Sequence, residues 1–239
     1  MSSDCFFTKE NLDHCLRTLA KEFRKRNGKS TPAEIILTGG AAILANYGFR
    51  DMTYDIDAII KASSAMQEAI NYVGDTMGLP HGWLNSDFVH TRSFSPELIR
   101  YSVYYKTFSN ILIVRTISRE YLVAMKLMSG RQYKHDISDI IGILYEQQQR
   151  EMPLSYEQIH TAVCNLYGGW EAIPELSRTL IQKILESDNL KSLYQLYQQE
   201  ELASKKMLVT FEKNYPKTVT EDNIQNILKN LKNREMRHQ

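Results

Sequence analysis

A chain of 239 residues with 29 lysines and arginines against 28 aspartates and glutamates carries a formal net charge of +1, so composition does not require a nucleic-acid partner. Its length and 43% hydrophobic content allow one large domain or two of ordinary size, and no apolar run is long enough to span a bilayer. Three cysteines, Cys5, Cys15 and Cys164, lack metal-ligand spacing, and no export signal follows Met1, which predicts reduced thiols in a soluble, cytoplasmic protein.

Leu12, Cys15, Leu16, Leu19 and Phe23 recur at helical spacing within residues 8–28, with Thr8 as a cap and Gly28 as the stop. Its outer face carries Lys21, Arg24, Lys25, Arg26 and then Lys29, which reads as a solvated face in preference to a nucleic-acid contact. After a turn at Ser30-Thr31-Pro32, an apolar strand over 34–38 runs into Gly39 and Gly40, and a short helix over 40–47 ends at Gly48. The next strand, 55–60, carries Asp55 and Asp57 two residues apart. Side chains alternate across a sheet, so both acids project from one face while Ile56 points into the core. Two like charges held that close repel, and a fold avoids this unless a cation lies between them. The simplest such ion is Mg2+, with Mn2+ as the alternative.

Residues 63–77 form an amphipathic helix with Met66, Ala69, Ile70, Val73 and Met77 inward, a crossover that lets the flanking strands lie parallel. His81 to Phe94 has no periodicity and is either an active-site loop or a surface loop anchored by Trp83. Residues 101–107 and 111–117 read as a hairpin around Ser109-Asn110. Two helices follow, 118–129 with Lys126 as its mid-helix charge, and 134–146 opening on Asp136 and Asp139. Beyond the joint at Glu151-Met152-Pro153 the chain is all helical: a capping box at Ser155 and Gln158, a helix from Pro174, a long helix from Leu190 to about Tyr215, and a last one from Thr220. Tyr194 and Tyr197 read as helix-packing surface, and residues 230–239 as a frayed tail. The domains expected are 1–148 and 149–239.

A glycine-rich strand-to-helix turn beside two carboxylates is equipment for holding the phosphates of a nucleoside triphosphate and assisting in-line attack on one of them. Thr38 offers a hydroxyl there, and Gly39 and Gly40 offer bare backbone amides. The six histidines show no metal-like pairing, and no serine or cysteine hydrolase motif is present.

Gly39-Gly40 after a strand, followed by Asp55-x-Asp57 between apolar residues, resembles the signature of the DNA polymerase beta nucleotidyltransferase superfamily over about residues 30 to 145. It is similar to small bacterial members that include abortive-infection toxins of toxin and antitoxin pairs, in which a basic residue and a threonine precede the carboxylates, as Arg50 and Thr53 do here. Lys126, Arg131, Lys134, Asp136 and Asp139 resemble a second motif of those relatives. The resemblance implies an α/β (α+β) fold: a small mixed sheet with flanking helices, with an all-helical C-terminal part over one side of the cleft. It implies Asp55 and Asp57 as metal ligands, and Lys126 as a catalytic group that reaches the triphosphate together with Arg131. Arg50 and Thr53 would contact the nucleotide, and Asp139 would orient Lys126 or Arg131. The plainer alternative is that Lys126 snorkels from an apolar helix and the acids cap the next one.

The function expected is transfer of a nucleoside monophosphate to RNA, a protein or a small molecule, with an antitoxin protein as a further partner. Enzymes of the superfamily commonly use a third carboxylate on a later strand. The hairpin strands offer none, and Asp87 and Glu97 are the nearest substitutes. That absence supports a second reading, a module without turnover that senses a nucleotide or binds a protein.

Overall fold

The computed structural model describes residues 6–28, 31–220 and 223–238, with side chains to 234. Cys5, Lys29 and Ser30, named above, lie outside the described residues. Helix α1 (Lys9–Asn27) opens on a capping box in which the Thr8 amide donates to Asn11 Oδ1 at 2.7 Å and the Asn11 amide to Thr8 Oγ1 at 3.4 Å. Its basic face is largely engaged within the protein: Lys25 and Arg26 pair with Glu22, and Arg24 donates to the Ser109 carbonyl.

Strand β1 (Ala33–Leu37) leads into α2 (Gly39–Asn46), then β2 (Ile56–Lys61), α3 (Ala65–Met77) and a short β3 (Leu84–Asn85). Strands β4 (Ser102–Phe108) and β5 (Leu112–Ile117) form the expected hairpin, with Ser109 and Asn110 both at positive φ (52° and 53°), as a two-residue turn matching strand twist requires. The sheet order is β3-β2-β1-β5-β4. β1 runs parallel to β5 and antiparallel to β2, and β3 lies parallel to β2, across the α3 crossover. β1 is central because Ile35, Ile36 and Leu37 are apolar in succession and need cover on both faces; all three are fully buried. The 81–94 segment resolves into β3 and a short 3-10 turn, and Trp83 anchors it, 2% exposed, with its indole donating to the Ile70 carbonyl at 3.0 Å.

Helices α4 (Arg119–Ser129) and α5 (Asp136–Gln149) pack on each other. The C-terminal helices are α6 (Tyr156–Tyr167), α7 (Glu175–Leu185), α8 (Leu190–Asn214) and α9 (Ile224–His238). α9 continues through most of the segment expected to fray. The hydrophobic core is continuous across residues 149–153, because α6 packs on α4, and Ile159, Val163, Ile181 and Ile184 join the cluster built around the sheet. Tyr194 is packing surface, edge-on to Phe49 and donating to its carbonyl at 2.9 Å.

A buried carboxylate also ties α8 to α5. Glu201, 2% exposed, accepts from the Ile137 amide at 2.9 Å, the Ser138 amide at 3.2 Å and the Ser138 hydroxyl at 2.5 Å. It thereby satisfies the open first turn of α5 from another helix. Burial raises its pKa from 4.5 to about 7, against the pull of those hydrogen bonds. Between those values the folded chain keeps a proton that the unfolded chain releases, so the stability this group contributes is complete below pH 4.5 and is lost as pH rises through about 7. Glu201→Gln keeps an acceptor for both amides and does not titrate. Relative to that variant, wild type should lose roughly 1–3 kcal/mol of stability between pH 5 and pH 8 in denaturant titrations. His135, whose Nδ1 lies 3.8 Å from Glu201, is present in both proteins and largely cancels. Parallel curves would exclude a titrating carboxyl at this joint.

Candidate functional site

The antiparallel register of β1 and β2 brings the C-terminal end of one to the N-terminal end of the other: Leu37 faces Ala58, and the Thr38 amide donates to the Asp57 carbonyl at 2.9 Å. The chain then turns into α2 through Gly39 at φ +50°, a left-handed conformation that glycine adopts without a Cβ penalty. A Cβ on Gly39 would lie 3.5 Å from Asp57 Oδ2, so this carboxylate stands directly against the glycine backbone. A Cβ on Gly40 would lie 2.6 Å from Thr53 Oγ1 and 3.0 Å from an Arg50 guanidinium nitrogen, so Gly40 makes room for both side chains. Thr53 is held by paired backbone hydrogen bonds to Phe7, at 2.6 and 2.9 Å, which fix the segment leading into Asp55.

Asp55 sits just before β2 and is exposed; Asp57 is half-buried within it. Burial first, and the neighbouring Asp55 charge second, push the Asp57 carboxyl up to about 6. Lys134, Arg131 and Lys126 act in the opposite direction.

Behind the acids lies a buried ionic network. Lys126, 8% exposed, places its amine 2.8 Å from Asp136 and 2.9 Å from Asp139. Asp136, fully buried, also receives Arg131 Nε at 2.8 Å and the Arg131 amide at 3.2 Å. Asp139 receives both contacts of Arg50 Nη1, at 2.9 and 2.6 Å. Burial opposes charge on Asp136, yet Lys126 and Arg131 outweigh it and hold this carboxyl well below the usual range. Burial likewise opposes charge on Lys126, and Asp136 and Asp139 together raise its pKa.

Gly39, Gly40, Arg50, Thr53, Asp55, Asp57, Lys126 and Arg131 line one cleft of about 570 Å³. Two expected site residues do not reach it. Thr38 is fully buried and its hydroxyl donates to the Asp57 carbonyl at 3.1 Å, so it joins the strands; Asp139 lies behind Arg50 and Lys126 as their counter-ion. The cleft also takes in Tyr54, Lys134 and a wall from the C-terminal helices. Lys134 was visible in the spacing of the second motif. Helical cover on one side was expected, but not the residues that provide it, because an apolar pair on an amphipathic helix looks the same whether it packs a core or lines a cleft.

The donor set fits a hard, oxygen-preferring divalent cation: two carboxylates sharing a cleft, one of them reluctant to ionise beside the other. Among the described residues no group of three or more histidine, cysteine, aspartate or glutamate side chains is placed to hold a metal. Glu97 pairs with Arg100 at 2.8 Å, and neither it nor Asp87 lines the cleft. The residue in register with Asp57 on β3 is Asn85, whose amide donates to the Gly82 carbonyl and accepts from the Asp87 amide. Among the described residues no helix is long and apolar enough to cross a membrane.

Comparison with known proteins gives no match among curated proteins or among solved structures. The family described as "Nucleotidyltransferase of unknown function (DUF6036)" matches residues 14–152, which contain the glycine turn, both cleft carboxylates and the whole ionic network. With more than half of its length matched, the chain belongs to this nucleotidyltransferase family.

Proposed function

We propose that the cleft binds a nucleoside triphosphate and transfers its nucleoside monophosphate to an acceptor hydroxyl. The acceptor oxygen attacks the α-phosphorus, the bond to the bridging oxygen breaks, pyrophosphate leaves with that electron pair, and the acceptor proton passes to water. What carries the reading is the approach of Asp57 to the Gly39 backbone in a cleft that is also lined by Asp55 and Arg131. Asp55 and Asp57 would hold Mg2+ or Mn2+, which supplies neutralisation of phosphate charge and acidification of the attacking hydroxyl. The half-buried Gly39 and Gly40 amides would donate to phosphate oxygens, and Arg131 would contribute positive charge in the same cleft. Lys126, with two carboxylates on its amine, acts chiefly by holding Asp136 and Asp139 in place. RNA ends, a protein hydroxyl and a small molecule are the acceptor classes to test, and a toxin role with an antitoxin partner carries over from the motif resemblance alone.

A second reading is favoured by one observation: Asn85, an amide, stands beside Asp57 on the neighbouring strand. On that reading the chain binds a nucleotide without turning it over. The deciding assay follows pyrophosphate release from each of the four ribonucleoside triphosphates with Mg2+ or Mn2+, alone and with RNA or protein acceptors. Metal-dependent release supports transfer. Tight metal-dependent binding with no release from any combination supports the sensing module, and no binding at all removes both.

A further inference from the structure

The cleft is chemically mixed. Besides the ionic groups, its lining includes Leu208, Val209, Val219 and Ile224 from the C-terminal helices and their connection, with Lys205 and Glu212 on α8 and Tyr54 under the Lys205 amine. Phosphates have no use for the four apolar side chains. Val209 is 48% exposed and Tyr54 46% exposed, apolar surface left in contact with water inside a concavity. The wall is also firmly built: Glu212 accepts from the Lys217 amide at 2.7 Å and the Val219 amide at 3.3 Å, which folds the chain back so that Val219 faces the cleft.

We infer that Tyr54 and the apolar wall of α8 and α9 form the nucleobase subsite of this cleft, an inference that rests on the nucleotide-binding reading above. Tyr54 and Asp55 line the same cleft, so an aromatic ring and the acids assigned to the phosphates serve one cavity, as base and phosphates belong to one nucleotide. The cleft's volume of about 570 Å³ suits a whole nucleotide and exceeds the needs of pyrophosphate. Lys205 now lies over the Tyr54 ring, its amine 5.0 Å from the centroid. A cation–π contact at an exposed site is weaker than a base stacked on an aromatic ring, so an entering base displaces this exposed side chain. α8 thereby serves recognition as well as folding, since the helix clamped by Glu201 is the one that presents Leu208 and Val209.

The test is calorimetric titration of the full chain in Mg2+ with each ribonucleoside triphosphate and with inorganic tripolyphosphate, which offers phosphates without a base. Wild type should bind at least one nucleoside triphosphate more tightly than tripolyphosphate. Tyr54→Ala and Val209→Asn should each reduce that advantage about ten- to thirtyfold, with tripolyphosphate affinity held within about twofold. Tyr54→Phe should retain it, and melting curves of these surface variants should match wild type. Equal affinity of wild type for both kinds of ligand, or variants that leave the advantage intact, would overturn the base subsite while leaving the phosphate site standing. A Tyr54 effect confined to the second substrate would assign the wall to the acceptor and overturn it too. A chain that binds neither ligand fails the function reading itself.

Discussion

Lys126→Met should destabilise the protein by about 3 kcal/mol at pH 7, lowering Tm by roughly 6–12 °C for a chain of this size. The ammonium is almost completely enclosed and lies 2.8 and 2.9 Å from two carboxylates that are themselves 0% and 2% exposed. A methionine of similar shape fills the space and leaves those charges short of a counter-ion in a poorly solvating interior. Arg131 on Asp136 and Arg50 on Asp139 remain, which keeps the loss at the low end of the range for a broken buried pair. The pH dependence has a definite sign. Asp136 is held below its ordinary 3.8 in the wild-type fold, so its contribution is present above that value and lost as pH falls. The gap between wild type and variant should therefore be widest near neutrality and narrow on acidification, as read from denaturation midpoints across pH. A variant as stable as wild type at pH 7 would show that the amine is not committed to this network. Any loss of activity in Lys126 variants must be set against this structural cost before a chemical role is assigned.

Asp57→Asn should behave in the opposite sense. Pyrophosphate release is expected to fall by at least about 100-fold, since an amide replaces one of two anionic oxygen donors. In metal-free buffer Tm should hold or rise by about 2–4 °C, because the substitution removes one member of a repelling pair. Burial and Asp55 already push this carboxyl up to about 6, so the ionised side chain is a strained occupant of its position when no cation is bound. Asp55→Asn should match the loss of turnover with a smaller gain in stability, because Asp55 is exposed and its charge is solvated. A structural acid would lose activity and stability together. Divergence of the two, measured by pyrophosphate release and thermal melting on the same preparations, is the mark of a residue kept for chemistry at some expense to the fold.

Much of the ionic end of the site could be read in advance because its determinants are local. Two glycines after an apolar strand announce a turn that needs a positive φ and an open backbone, and Asp-x-Asp on the next strand announces a shared face. The order of Lys126, Arg131 and the two aspartates announced a second constellation, but not how its members would pair. Asp139 faces Arg50 as well as Lys126, across 89 residues of chain, and no spacing rule reaches that far. The placement of Thr38 could not be read for a related reason. Its hydroxyl follows the strand register, and only the pairing of β1 with β2 turns it onto the Asp57 carbonyl. The identity of the α8 and α9 residues lining the cleft and the capping of α5 by Glu201 had no sequence signal, since helical periodicity tells which face is covered and not what covers it.

By itself the sequence determined the class of the protein, the run of strands and helices other than β3, and the carriers of charge near the glycine turn. These follow from backbone sterics, alternation and amphipathic period, which act over a few residues at a time. Only the tertiary structure decided which residues of α8 line the cleft, that Lys126 is enclosed by two acids, and that Thr38 and Asp139 stand behind the cleft lining. Those outcomes depend on burial and on partners distant along the chain, and their energies exist only once the core has closed around them.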